Sequence, residues 1–384
     1  MQVGGVMGRR LPTAPPILSG YSYVRPLGTG GFADVFLFEQ NMPRRSVAVK
    51  VLLRDIVDDD VLRSFNAEAD VMARLSSHPA ILTVYNASIS ADGRPYLVME
   101  YCPGSLSTHE RSAPLPTATV LAVAVKIACA LETAHRSRVL HRDIKPSNIL
   151  TTTFGGPVLS DFGIAASLSG GGRTELFAMS LPWSAPEVVD ERTTGTVATE
   201  VWSFGATVYS LLADRAPFEL PDGSNGTRAQ LKQRIGRAQY TAIGRADVPA
   251  ALESILARMM SRDPAARQVS LLECAHDLQR VQRELGLPMT ALEVADEAWA
   301  FAGTPLDFND HRPRGLVVSD VIIPSRRVGR PGRPPQTHIR AGAQTDSGDF
   351  RPARLSSSLV PLLAGAVVVG GGVTVGLLAL LGRF

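Results

Sequence analysis

The stretch "VLHRDIKPSNIL" (residues 139–150) brings an aspartate, a lysine and an asparagine, Asp143, Lys145 and Asn148, together around Pro146. Proline breaks helices and central strands, so these side chains sit in a loop, where they can converge without the fixed directions of a regular element. Lys145 is one of only four lysines among 39 basic side chains, and the rest are arginine. The retained ammonium therefore asks for a chemical reason. An aspartate can accept a hydroxyl proton, a lysine is a compact charge for a transferring phosphoryl group, and an asparagine oxygen is a hard ligand suited to magnesium. Thirteen residues after Asn148, Asp161 opens "DFG" and adds a second oxygen donor. A chance loop with polar caps is the plain alternative, and it does not account for these residue types in this order.

Upstream, "LGTGGFADV" (residues 27–35) carries glycines at 28, 30 and 31. Such a turn can bring backbone N–H groups close to phosphate oxygens, although an ordinary hairpin turn explains it as well. The following "VAVK" is more telling. Strand alternation puts Val47, Val49 and Val51 on one face and Ala48, Lys50 and Leu52 on the other, a poor setting for a solvated lysine and a good one for an anion partner. Residues 60–75 repeat apolar side chains at Leu62, Phe65, Ala69 and Met72, a helical spacing with Glu68 at the stripe's edge. A Lys50–Glu68 pair is expected, against the alternative of a border glutamate that only snorkels.

At 384 residues and 45% apolar content the chain can build one large domain, or two, plus tails. A net charge of +3 is too weak to argue for a nucleic-acid partner. Cys102, Cys129 and Cys274 lack metal or C-x-x-C spacing and read as reduced thiols in the cytosol. Short β-branched runs, "YSYVRPL", "ADVFLFE", "SVAVKVLL" and "PYLVME", predict strands. From Thr117 helical patterns dominate: "TATVLAVAVKIACALETAHR", "EVWSFGATVYSLLAD", "VPAALESILARMM" and "LLECAHDLQRVQREL". A β-rich first lobe joined to a larger helical lobe is the expectation.

The ends differ from this body. Residues 1–20 are Pro/Gly-rich, too proline-broken for a secretory signal, and read as a flexible leader. Residues 301–358 have the Arg/Pro/Gly-rich composition of an unfolded linker. Residues 359–381 form an uncharged run of 23 residues. As a helix this run would be about 35 Å long, enough to cross a bilayer core of about 30 Å. A buried core helix is the alternative, but few are apolar on every face for this long.

Taken in order, "GTGGFADV", "VAVK", Glu68, "HRDIKPSN", "DFG", "APE" (residues 185–187), "EVWSFG" and Arg267 resemble a eukaryotic-like Ser/Thr protein kinase of the bacterial membrane type, over about residues 21–285. The resemblance implies an α+β, two-lobed protein kinase fold over residues 21–300, with a β-rich N-lobe, a helical C-lobe and ATP between them, plus a single C-terminal transmembrane helix. Leu27, Gly28, Gly30 and Gly31 would cover the nucleotide, Lys50 would bind the α- and β-phosphates, and Glu68 would orient Lys50. Adenine would lie between Val35 and Ala48 above and Leu150 below, bonded to the backbone of Glu100 and Cys102, with Met99 at the rear. Asp143 would position and deprotonate the substrate hydroxyl, and Asn148 and Asp161 would hold Mg2+, or Mn2+ in its place. Lys145 would neutralise the moving γ-phosphoryl; in the family it marks Ser/Thr specificity.

The chain departs from the family pattern at Ala33, the third glycine position, at Met179 and Leu181 around Ser180, where a glycine and a proline are usual, and at Glu200, where an aspartate is usual. Loop geometry and peptide preference are expected to change more than the chemistry. Between "DFG" and "APE", Ser167, Ser169, Thr174, Ser180 and Ser184 are hydroxyls that a phosphate could occupy, with Thr174 the leading phosphosite, Ser180 a second, and Arg142 the pairing cation. The arginines at 326–354 place the kinase lobes on the cytoplasmic side of the cell membrane, above a single-pass C-terminal anchor with a short tail at 382–384. Gly372 and Gly376 form a G-x-x-x-G through which two spans could pair as a homodimer. An active kinase acting on itself and on cytosolic protein Ser/Thr substrates is the leading reading. A membrane-tethered pseudokinase scaffold stands second, and a small-molecule phosphotransferase, disfavoured by "APE", third.

Overall fold

Alternation in the strand that carries "VAVK" organises the first lobe. The computed structural model describes residues 10–57, 59–107, 114–162, 180–220 and 226–295, without the side chains of Ile56, Asp59, Asp60, Ser64 and Glu68. Strands β1 (Tyr21–Thr29), β2 (Ala33–Asn41), β3 (Arg44–Leu52), β4 (Val84–Ile89) and β5 (Pro95–Glu100) form an antiparallel sheet in the order β1-β2-β3-β5-β4. Val47, Val49 and Val51 pack on the outer face with Phe36, Phe38 and Val98. Ala48 packs on the inner face with Leu97, Met99 and two residues of helix α1 (Asp59–Leu75), Phe65 and Ala69. The two faces separate as strand alternation requires.

Residues 10–20 do not follow the expectation of a loose leader. Leu18 is buried in the outer-face cluster, and Asn41 N–H donates to the Gly20 carbonyl. Composition misled here because a proline-rich segment can still lie ordered against a sheet when single apolar and polar side chains find partners on it.

The second lobe is built on α2 (Thr117–Arg136), the one described helix long and apolar enough to cross a membrane; its surroundings show it to be core. Around it stand α3 (Pro186–Val189), α4 (Val197–Ala213), α5 (Arg228–Arg237), α6 (Ala250–Met259) and α7 (Leu271–Glu284). A small sheet, β6 (Gly104–Ser105), β7 (Ile149–Thr151) and β8 (Pro157–Leu159), carries the loop between α2 and β7 that holds the "HRDIKPSN" motif. Leu159 pairs with Ile81 and so stitches this sheet to the first lobe. Pro116 leaves the start of α2 without a local side-chain cap, and Asp247 supplies one from a distance, accepting from Thr117 Oγ1 (2.8 Å) and more weakly from Thr117 N–H (3.4 Å).

Beyond α7 the chain turns back at Gly286, whose φ of 64° suits a residue without a Cβ. It then runs along α2. Arg136 donates to the Ala295 carbonyl (3.1 Å), Ala295 N–H donates to Thr133 Oγ1 (3.2 Å), and His78, just after α1, donates from Nε2 to the Glu293 carbonyl (2.6 Å). The linker and the apolar run at 359–381 lie outside the described residues.

Candidate active site

The glycine-rich turn joins β1 to β2 and is closed by Gly30 N–H donating to the Ala33 carbonyl (2.8 Å). A Cβ on Gly28 or Gly31 would meet nothing within 4 Å, and neither backbone is left-handed. The chain itself therefore does not demand glycine there; the bare backbone leaves room for a ligand to approach. Ala33, where a third glycine was expected, is buried at the start of β2 with its methyl accommodated.

Below the turn, Ala48, Met99, Leu27, Val35, Cys102 and Leu150 gather in a single apolar cluster that draws on both lobes. Five of the six residues expected around adenine, Val35, Ala48, Met99, Cys102 and Leu150, are thus brought together with Leu27, leaving an apolar setting that suits a flat heterocycle. Glu100 gives its N–H to the Thr83 carbonyl (2.9 Å), so its contribution to a bound base is its own carbonyl oxygen. Burial pushes the Cys102 thiol up to about 12, which keeps it a neutral lining group.

Lys50 reaches Asp161, with Nζ 2.8 Å from Oδ1. The Lys50 ammonium holds the Asp161 carboxyl below the usual carboxylate range, against the opposing effect of desolvation. Glu68 lies on α1, and its side chain is outside the described residues, as are Gly163, Ser167, Ser169, Thr174 and Met179. Asn148 donates its side-chain amide to the Asp143 carbonyl (2.8 Å) and to Asp143 Oδ2 (3.0 Å), leaving Oδ1 as that side chain's acceptor. An amide oxygen and an ionised carboxylate suit magnesium, which keeps most of its shell for water and phosphate.

Asp143 is held through both oxygens. Ser180 Oγ donates to Oδ1 (2.5 Å), while Lys145 Nζ lies 2.8 Å from Oδ2 and 3.0 Å from Ser180 Oγ. Three side chains from two loops, 35 and 37 residues apart from Ser180, thereby close into a triangle. Leu181, in place of the usual proline, is buried at the start of a short turn with Pro182 and Trp183.

Residues beneath the loop hold it in shape, and of these the motif reading passed over His135 and Ser160. His141 is fully buried; Nδ1 accepts from Asp143 N–H (3.3 Å), so Nε2 carries the proton given to the Ser160 carbonyl (2.9 Å). Burial lowers its pKa and keeps the ring neutral. The ring packs on Phe162 with centroids 4.6 Å apart. Glu200 accepts from Arg142 N–H (2.6 Å) and from His135 Nε2 (2.6 Å), so the longer side chain performs the bridging that a carboxylate at this place can offer. Arg142 and Asp161 have φ of 66° and 56°, unusual values that cluster at functional loops. Glu187 of "APE" takes a two-pronged bond from buried Arg267 (2.6 and 3.0 Å), which anchors the segment after Ser180. Both stood in the ordered motif set, 80 residues apart, and the structure shows them paired.

Residues 21–278 match the protein kinase domain family. The chain is 38% identical over 293 residues to the serine/threonine-protein kinase PknK of Mycobacterium tuberculosis, covering 75% of this chain and 26% of PknK. It is 33% identical over 273 residues to PknJ of the same organism, covering 69% of this chain and 46% of PknJ. To PrkC of Bacillus subtilis it is 32% identical over 265 residues, covering 67% of this chain and 39% of PrkC. It spans less than half the length of each of these relatives. With that match and with Lys50, Asp143, Lys145, Asn148 and Asp161 placed as described, the chain, similar to bacterial serine/threonine kinases, belongs to the protein kinase domain family, whose members use ATP and magnesium.

Proposed function

We propose that the chain is an active, membrane-anchored kinase that transfers the γ-phosphoryl group of ATP to Ser and Thr hydroxyls of itself and of cytosolic proteins. The closed triangle of Asp143, Lys145 and Ser180 carries the catalytic part of this reading. As the substrate oxygen bonds to the γ-phosphorus and the β-phosphate oxygen departs, Asp143 accepts the hydroxyl proton and Lys145 offsets charge on the transferring group. Lys50 neutralises the α- and β-phosphates. Asn148 and Asp161 would hold magnesium, which would supply further neutralisation of the phosphate charge.

The scaffold alternative leans on the departures from the family pattern, and two of them have contacts that keep the site together: Ala33 closes the glycine turn and Glu200 holds the catalytic loop. Magnesium-dependent ³²P transfer by the full chain to itself and to a basic protein substrate tests the point. Asp143→Asn is expected to reduce transfer by about 10²-fold or more. ATP binding without transfer in either protein would establish the scaffold instead.

Thr174 is the proposed activating phosphosite, with Arg142 as its partner. A phosphate on Ser180 would replace a donor to Asp143 with negative charge, so modification there would switch the site off. Phosphosite maps of the wild type and of Asp143→Asn test both.

The uncharged run at 359–381 supports a membrane span, and the arginines at 326–354 support a cytoplasmic kinase. Retention in the membrane pellet after alkaline carbonate extraction, lost on deletion of 359–381, is the expected result. Gly372 and Gly376 support pairing of two spans; cross-linking that survives Gly372→Leu with Gly376→Leu would refute it.

A further inference from the structure

Asp34 lies on β2, immediately after the glycine-rich turn and opposite Thr29 of β1. Its neighbour Val35 faces the adenine cluster, so alternation turns Asp34 to the outer side of the sheet. A carboxylate at the end of a hairpin is ordinarily solvated. This one is wholly buried.

The N-terminal segment buries it. Thr13 donates to Asp34 Oδ2 from its backbone N–H (2.8 Å) and its hydroxyl (2.7 Å). Arg10 donates to both carboxylate oxygens, and the same guanidinium donates to the Gly30 carbonyl (3.2 Å), inside the glycine turn. The strap is fastened further along as well. Arg94, itself buried, donates to Thr13 Oγ1 (3.2 Å) and to the Ala14 carbonyl (3.0 Å), and is held in turn by Asp92. Leu18 then enters the outer-face core beside Phe36 and Phe38.

We propose that residues 10–18 form a strap that preorganises the glycine-rich turn for nucleotide, with Asp34 as the positioning residue through which the strap acts. The inference rests on the ATP-dependent reading of the cleft. A glycine turn loses much conformational freedom when it closes over a ligand, and restraint imposed beforehand reduces that loss. A buried carboxylate stripped of its partners is strongly disfavoured, so strap and turn move as a unit. Burial raises the Asp34 pKa, but the Thr13 amide, the Thr13 hydroxyl and Arg10 together hold it below the usual range, so the clamp stays charged at neutral pH.

The sign of the effect discriminates. If Asp34 acted only as a charge near the phosphates, neutralising it would improve ATP binding; if it holds the turn, neutralising it weakens binding. Asp34→Asn and Arg10→Gln are expected to raise KM for ATP by about 3- to 10-fold with kcat within about twofold, and Thr13→Val to do so more mildly. Leu256→Ala, in the core of the second lobe, controls for general destabilisation and is expected to leave KM for ATP unchanged. Amide hydrogen exchange over residues 28–33 of the nucleotide-free full chain is expected to accelerate in Asp34→Asn and Arg10→Gln. An unchanged or lowered KM, an equal rise in Leu256→Ala, or unchanged exchange in the turn would each overturn the proposal. Exchange is read without turnover, so a wild-type chain that transfers no phosphate would defeat the kinase reading while the strap was still tested.

Discussion

Ser180 shows how much a single hydroxyl decides at the site. It occupies one oxygen of Asp143 and accepts from Lys145, so it orients the proposed base and the proposed phosphoryl-neutralising cation together. Ser180→Ala is expected to lower kcat by roughly 10- to 100-fold through misorientation of Asp143, whereas Ser180→Thr retains most activity because the hydroxyl remains. Steady-state kinetics of the two variants checks this; an equal loss in both would remove the hydroxyl from the argument. Glu200 makes the complementary point. As a residue it read only as a departure, a carboxylate one methylene too long. Its value lies in where that methylene lets the two oxygens reach, to Arg142 N–H and His135. Neither partner is near it in sequence, so a linear reading had no means of pairing them.

Among the elements, α2 was legible from end to end because its apolar pattern is continuous, yet its stability draws on a residue far along the chain. Asp247 caps its start and is bonded to Arg245, whose hydrogen bond, with that of Thr117, brings the Asp247 pKa down to about 2. The folded pKa lies below that of an unfolded aspartate, so this contribution is complete above about pH 4 and is lost as pH falls toward 2. Asp247→Asn is expected to cost about 1 kcal/mol or less at pH 7, since the carboxylate is half exposed, and nothing near pH 2. Urea unfolding at the two pH values checks it. Helix α4 packs so closely on α6 that a Cβ on Gly205 would sit 2.6 Å from Met259 Cβ. Gly205→Ala is expected to destabilise by about 1–3 kcal/mol in the same assay. Strand β4 and helix α5 escaped the sequence reading for physical reasons. Five of the six residues of β4 are exposed, and α5 buries only Leu231 and Ile235. Edge strands and largely polar helices lack the apolar period by which such elements are found.

At the scale of the molecule, the described residues on either side of the family-matched region belong to the packed body. Residues 10–18 clamp the glycine turn, and residues 286–295 bind α2 and His78. A chain truncated after Leu285 would lose the partners of His78, Arg136 and Thr133 and re-expose that side of α2. It is expected to unfold about 4–8 °C lower than a chain ending after residue 295, as a loss of about 2 kcal/mol implies for a domain of this size. Differential scanning calorimetry decides it. Equal transitions would show the segment to be an ornament of the fold.

By itself the sequence determined the class of chemistry, the two lobes and the residues of the cleft. Those rest on local information: residue types at short spacings and the periods of strands and helices. Only the tertiary structure decided what holds each group in place. Asp143 is set by Ser180, the catalytic loop by Glu200, the start of α2 by Asp247, and the glycine turn by Thr13 and Arg10. Each of these is a polar contact across a long stretch of chain, made where burial forces a charged or hydrogen-bonding group to find a partner, and no period in the sequence records which partner it finds.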